Sequence, residues 1–155
     1  MRIPSWVATT AAVTATAALG SLAARPDDGW YRRLDKPRWQ PPRAAFPIAW
    51  TTLYGLLAFA GARALDATTG RARREFGLSY GLNLALNAGW TAVFFAARRP
   101  RAALVEIAAL NASNLDLAKR AWRADRAAGA AVLPYVAWTA FATALNADIA
   151  RRNRG

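Results

Sequence analysis

Cysteine and histidine are both absent from the 155 residues, and together the two absences close off much of enzymology. Without cysteine there is no disulfide, thiolate nucleophile or thiolate metal site. Without histidine there is no Ser-His-Asp triad, no imidazole acid–base chemistry and no His-bound zinc or haem iron. Acidic residues are scarce as well: 9 Asp plus Glu stand against 21 Lys plus Arg, a net charge of +12. Charged residues make up only 19% of the chain and hydrophobic residues 55%. Apolar bulk joined to basic charge is unusual for a soluble enzyme, and the length suits a single domain. Arg outnumbers Lys 19 to 2, a bias we attribute, with the abundant alanine, to genomic base composition.

What is present is long stretches without charge. A membrane-spanning helix needs about 20 mostly apolar residues to cross roughly 30 Å of hydrocarbon. Four runs meet that length with no Asp, Glu, Lys or Arg: 3–24, 44–62, 76–97 and 127–147. A fifth, 102–118, is shorter and holds Glu106 and Asp116 near its ends, where a charge costs less than at the bilayer centre. These runs predict an all-α integral membrane protein, one domain over residues 1–155, built as a five-transmembrane-helix bundle with a structured first loop. The mean hydropathy of +0.06 favours the alternative, a soluble five-helix domain. That domain would need a polar face at every turn, and these runs offer only Thr, Ser, Asn and Gly. The Arg clusters between runs are then flanking charges whose partner is anionic lipid rather than nucleic acid. Arg2, an apolar run and Ser21-Leu22-Ala23 also resemble a cleavable signal. The run exceeds the roughly 7 to 15 residues of a signal's apolar region, so an uncleaved first helix is expected. With five spans, 12 basic residues fall on the C-terminal side and 9 on the other, which favours the C-terminus inside.

At about 100° per residue, Asn83, Asn87, Trp90 and Phe94 fall on one stripe of the third run. Two readings stand for the asparagines: interhelical hydrogen bonds or contacts to a ligand. The opposite face carries Gly77, Gly81, Ala85 and Gly89, a small-residue repeat that serves packing either within the bundle or across a dimer. The second run repeats the aromatic theme with Phe46, Trp50, Tyr54 and Leu57, and the fifth with Tyr135, Trp138 and Ala142. Trp6 and Trp122 read as interfacial anchors. The connection 25–43 holds Trp30, Tyr31 and Trp39 among Pro37, Pro41 and Pro42. Proline restricts its own φ and the residue before it, so this loop is stiff enough to act as a lid over the bundle mouth.

These residues resemble the TspO/MBR family, which includes tryptophan-rich sensory proteins of bacteria and the mitochondrial translocator protein. The segment WYRRLDKPRWQPPRAAFPIAWTTLYGL fits the pattern W-Y-x-x-L-x-K-P-x-W-x-P-P-x-x-x-F-P-x-x-W-T-x-L-Y at every fixed position. NLALNAGWTAVFF fits Q-L-x-L-N-x-x-W-x-x-x-F-F apart from Asn83, and LPYVAWTAFATALNADIARRN fits L-P-Y-x-x-W-x-x-F-A-x-x-L-N-x-x-I-x-x-x-N. The resemblance implies a five-helix membrane bundle, commonly a homodimer, and by its bacterial branch a place in the bacterial cell membrane. It also implies a pocket for porphyrins such as protoporphyrin IX and for benzodiazepine-type ligands. Carried over by position, the pocket is lined by Tyr31, Trp39, Pro42, Trp50, Tyr54, Asn83, Asn87, Trp90, Phe94, Trp138 and Ala142.

Two further departures qualify the likeness. Asn111 stands where bacterial relatives often have Trp, and Ala147 where Tyr often follows Leu-Asn. With that Tyr absent no cholesterol pattern survives there, and sterol binding is not expected.

Three activities compete. The first is a tetrapyrrole receptor, carrier or sensor, with no obligatory cofactor, catalytic residue or metal ligand. Its ligand's carboxylates would meet Arg32, Arg33, Lys36 or Arg38. Without His or Cys, metal-free porphyrin is favoured over haem. The second, proposed for the family, is light- and oxygen-dependent porphyrin breakdown with a pocket Trp as electron source. The third is passive transfer of porphyrin-like amphiphiles; Glu106 and Asp116 alone make a poor proton path.

Overall fold

Each uncharged run becomes a helix, and the four later long helices continue into the basic residues beside them. The computed structural model describes residues 3–24 and 29–153, so Arg2, Arg25 and Arg154, counted above among the flanking charges, lie outside the described residues. The elements are α1 (Ser5–Ala24), a short loop helix α2 (Gly29–Arg33), α3 (Ala45–Asp66), α4 (Gly70–Thr91), α5 (Pro100–Ala124) and α6 (Arg126–Arg152). A single π-helical turn, Ala92–Ala96, prolongs α4. The helices overrun the expected spans because long Arg side chains carry their charge to the membrane surface while the backbone stays helical.

Consecutive long helices run up and down, and their contacts close a ring in the order α1, α3, α6, α5, α4 and back to α1. Three of them, α1, α3 and α6, are long and apolar enough to cross a membrane by length and composition. α4 and α5 fall short because the first turns of α4 carry Arg71, Arg73, Arg74 and Glu75, and α5 carries Glu106 and Asp116.

The radial distribution of polarity is inverted relative to a water-soluble bundle. Leu22, Ile48, Leu78, Val105 and Leu115 are exposed on the outside. Asn83, Asn87, Asn114, Thr139 and Asn146 are fully buried within. Hydrocarbon outside rewards the apolar surface, and polar groups inside must find one another.

Along its axis the bundle has two unlike halves. Where α3 ends and α6 begins, Leu57, Ala64, Phe76, Tyr80, Leu117, Val132 and Tyr135 form a closed core. Close approach there needs Gly61, because a Cβ would come within 2.8 Å of both Thr9 and the Tyr80 ring. The opposite half, beneath the first loop, is not closed and holds the cavity described below.

Asp125 alone separates α5 from α6. Its carboxylate caps α6 by accepting from Ala128 N at 2.8 Å and grips the Arg63 guanidinium through two contacts of 2.9 and 2.6 Å. The Arg63 hydrogen bond, followed by the Ala128 N–H, lowers the Asp125 pKa from 3.8 to about 2. A carboxyl so depressed contributes stability that is present above its unfolded pKa and lost as pH falls through the folded one. Thermal unfolding in detergent between about pH 4 and pH 2 should therefore show a loss of stability that Asp125→Asn flattens. An unchanged acid limb in the variant would remove Asp125 from that role.

Candidate functional site

Beneath the first loop lies a cavity of about 640 Å³, within the range of roughly 300 to 1,000 Å³ typical of small-molecule sites. Its walls come from four helices and the loop. α3 contributes Phe46, Pro47, Trp50, Thr51 and Tyr54; α6 contributes Trp138, Phe141, Ala142, Leu145, Asn146 and Ile149. The α1 side is low, formed by Ala17, Gly20, Ser21 and Ala24, and leaves room for a flat guest.

The α4 wall includes a local change of helix pitch. Trp90 and Thr91, the last residues of the α-helix, line the cavity, and so do Phe94 and Phe95 in the π turn that follows. That turn is closed by Ala97 N donating to Ala92 O at 2.8 Å and adds one residue to the helical turn. The Phe94 and Phe95 centroids are 4.7 Å apart, and Trp90 stacks on Phe94 at 5.7 Å. Across the cavity Trp138 meets Phe46, Trp50 and Phe141 at 6.0, 6.4 and 5.4 Å.

The loop is tied down at two points. Trp39 Nε1 donates to Asp148 at 3.2 Å. Asp35 and Asn153 exchange two bonds, Asp35 N to Oδ1 at 3.0 Å and Nδ2 to Asp35 O at 2.9 Å. Tyr31 packs its ring on Phe95 at 5.3 Å and lies under Lys36 Nζ at 4.8 Å. Burial raises the Tyr31 pKa, against the opposing effects of its Gln40 hydrogen bond and the Arg43 charge, so the phenol stays protonated at neutral pH.

Of the eleven residues expected at the site, Tyr31, Trp50, Tyr54, Trp90, Phe94, Trp138 and Ala142 line the cavity. Trp39 lies on the outer side of the loop, 47% exposed, with its ring 5.7 Å from Phe141. Pro42 is exposed in the turn before α3 and off the wall. Asn83 and Asn87 are 0% and 1% exposed, are absent from the cavity wall and make interhelical hydrogen bonds. Asn87 accepts from Tyr54 Oη at 2.8 Å and donates to Tyr135 Oη at 2.9 Å. Asn83 donates to Ser113 at 3.1 Å and to Asn114 at 2.6 Å, and Asn114 donates onward to Thr139 at 2.7 Å. Asn111, in the position of the frequent Trp, donates to Thr143 at 2.7 Å and serves α5–α6 packing.

The small-residue stripe divides as well. A Cβ added at Gly77 or Gly81 meets nothing within 4 Å, whereas at Gly89 it would come within 2.6 Å of Glu106 Oε1. Ala85 is exposed. Packing within the chain thus accounts for Gly89 and not for the outward-facing Gly77, Gly81 and Ala85.

Sequence reasoning missed Phe95, Phe141, Leu145, Asn146, Gln40, Arg43 and all of α1. Phe141 and Leu145 follow Trp138 at helical spacing, a signal available in the sequence. Among the described loop cations, Arg43 alone lines the cavity; it is exposed, as are Arg32, Arg33 and Arg38, and Lys36 Nζ donates to the Arg32 and Leu34 carbonyls.

The comparisons with known proteins agree with this architecture. The family model described as TspO/MBR family matches residues 7–152. The chain is 38% identical over 146 residues to the tryptophan-rich sensory protein of Cereibacter sphaeroides, covering 92% of this chain and 87% of that protein. It is 34% identical to Protein CrtK of Rhodobacter capsulatus, over 81% and 79% of the two chains. With the human translocator protein it shares 33% identity, over 81% and 76%.

Proposed function

The chain belongs to the TspO/MBR family and is an integral membrane protein, and from that premise we propose that it is a receptor, carrier or sensor of tetrapyrroles such as protoporphyrin IX. The observation that carries this reading is the cavity itself. It offers Trp50, Trp90, Trp138, Phe94 and Phe95 as broad aromatic faces, which suit a flat macrocycle, with a few polar groups at the loop end. Among the described residues its wall carries no carboxylate, which supports binding over acid–base chemistry. The sequence offers haem iron no His or Cys and leaves Tyr as the poor option, which favours the metal-free macrocycle over haem.

In the same proposal all five long helices cross the bilayer. α4 and α5 are closed into the ring with α1, α3 and α6, and their outer faces present Leu78, Leu82, Val105 and Leu115. A homodimer forms through the outward Gly77, Gly81 and Ala85 of α4, where backbones can approach closely. The protein sits in a bacterial cell membrane with its C-terminus inside.

The test is a titration of the protein in lipid nanodiscs with protoporphyrin IX, following tryptophan quenching. Saturable quenching with one site per chain in the micromolar range is expected. Linear quenching that matches a nanodisc holding an unrelated tryptophan-containing helix would show partition into lipid and remove the reading.

A further inference from the structure

Charge enters the described cavity wall at one place. Tyr31, Gln40 and Arg43 come from the loop, and the rest of the wall is aromatic and aliphatic apart from the neutral Ser21, Thr51, Tyr54, Thr91 and Asn146. Gln40 Nε2 donates to Tyr31 Oη at 3.3 Å, and Gln40 Oε1 is buried with no hydrogen-bond partner. An amide oxygen left in that state is a cost carried by the empty protein.

We propose, resting on the tetrapyrrole reading above, that Arg43, Gln40 and Tyr31 form a carboxylate-recognition corner. The ligand class is then a flat aromatic amphiphile with a carboxylic acid on one edge, rather than a neutral one. A guanidinium stays charged at any relevant pH and offers five N–H donors, so it can hold a carboxylate alongside its existing contacts. Its place at the mouth keeps the ligand's charge near the polar membrane surface while the ring system is desolvated below, which avoids burying an ion. A half-turn of the Gln40 amide completes the corner. Oε1 then accepts from the Tyr31 hydroxyl, and Nε2 turns into the unpartnered position, where a carboxylate oxygen satisfies it. Arg32, Arg33 and Arg38, the arginines that the sequence alone put forward for this role, are off the cavity wall.

The experiment compares protoporphyrin IX with its dimethyl ester in nanodiscs, for the unaltered protein, Arg43→Gln, Arg43→Lys, Gln40→Leu and Arg38→Gln. Reading the acid-to-ester affinity ratio of each variant against that of the unaltered protein cancels the different lipid partition of the two probes. A charge-assisted contact of this kind corresponds to about a tenfold ratio change. Arg43→Gln should lose that factor through weaker acid binding alone, Arg43→Lys should keep part of it, and Gln40→Leu should lose a smaller part. Arg38→Gln should leave the ratio unmoved. The proposal is overturned if Arg43→Gln keeps the unaltered ratio, or if Arg38→Gln lowers it equally, which would mean general attraction by the basic loop. If neither porphyrin binds saturably, the tetrapyrrole reading fails with it; if both bind and the ratio is insensitive to Arg43, this inference alone fails.

Discussion

Replacing Asn87 by Ala should lower the melting temperature of the detergent-solubilised protein by about 5–10 °C, the largest loss expected from any single buried polar change. Asn87 holds three helices together: it sits on α4, accepts from Tyr54 on α3 and donates to Tyr135 on α6. Interhelical hydrogen bonds in membrane proteins average only about 0.6 kcal/mol, with a maximum near 1.7. The truncation does more than remove two such bonds. It leaves the Tyr135 hydroxyl oxygen, on a side chain with no exposure, without the N–H it accepts from, and the Tyr54 hydroxyl without its acceptor, and an orphaned buried polar group costs about 1–3 kcal/mol. Together these give roughly 2–3 kcal/mol, or the stated temperature shift at this chain length. The size of the effect should depend on the stranded partner. In a Tyr135→Phe background the same Asn87→Ala change should cost markedly less, a coupling readable as a double-mutant cycle. A full-sized loss in that background would mean that the damage comes from the cavity left behind rather than from the hydrogen bond.

The largest expected effect on binding is at Trp138. Its ring forms one wall of the cavity, held by Phe46, Trp50 and Phe141 at 5.4 to 6.4 Å. A central, well-packed aromatic of this kind costs about 2 kcal/mol or more when truncated. Trp138→Ala should therefore weaken protoporphyrin IX binding about 30-fold. Trp138→Phe keeps part of the face and should cost several-fold less. Trp6, 65% exposed on the far side of α1 from the core, provides the control: Trp6→Phe should leave the affinity as it was. Near-native affinity in Trp138→Ala would place the porphyrin elsewhere on the protein.

These two predictions separate residues that the sequence could not. Asn83, Asn87, Trp90 and Phe94 share one face of α4, and helical periodicity assigns a face without assigning depth. The closed core occupies the lower part of that face and the cavity the upper part. The same stripe therefore begins as buried hydrogen-bonding groups and ends as cavity wall. The helices themselves were legible because uncharged runs of 20 residues have few physical alternatives. The stripes on α3 and α6 were legible because aromatic residues recur at helical spacing.

Other parts of the site had no such signal. Phe95 lies within the π turn at Ala92–Ala96, and no residue type in that segment demands the extra backbone unit. The α1 wall is made of Ala, Gly and Ser, which serve by being small and look the same wherever they occur. The loop cations are chemically alike in sequence. Backbone path alone decides that Arg43, in the turn into α3, reaches the cavity wall, while Arg32 and Arg33 on α2 do not.

The central claim is that the aromatic cavity under the first loop is where a tetrapyrrole binds. A structure of the protein with protoporphyrin IX bound tests it most directly. Density for one macrocycle is expected between Trp50, Trp90 and Trp138, with a carboxylate edge at Arg43. A porphyrin found only on the outer, lipid-facing surface, with the cavity unchanged, would contradict it.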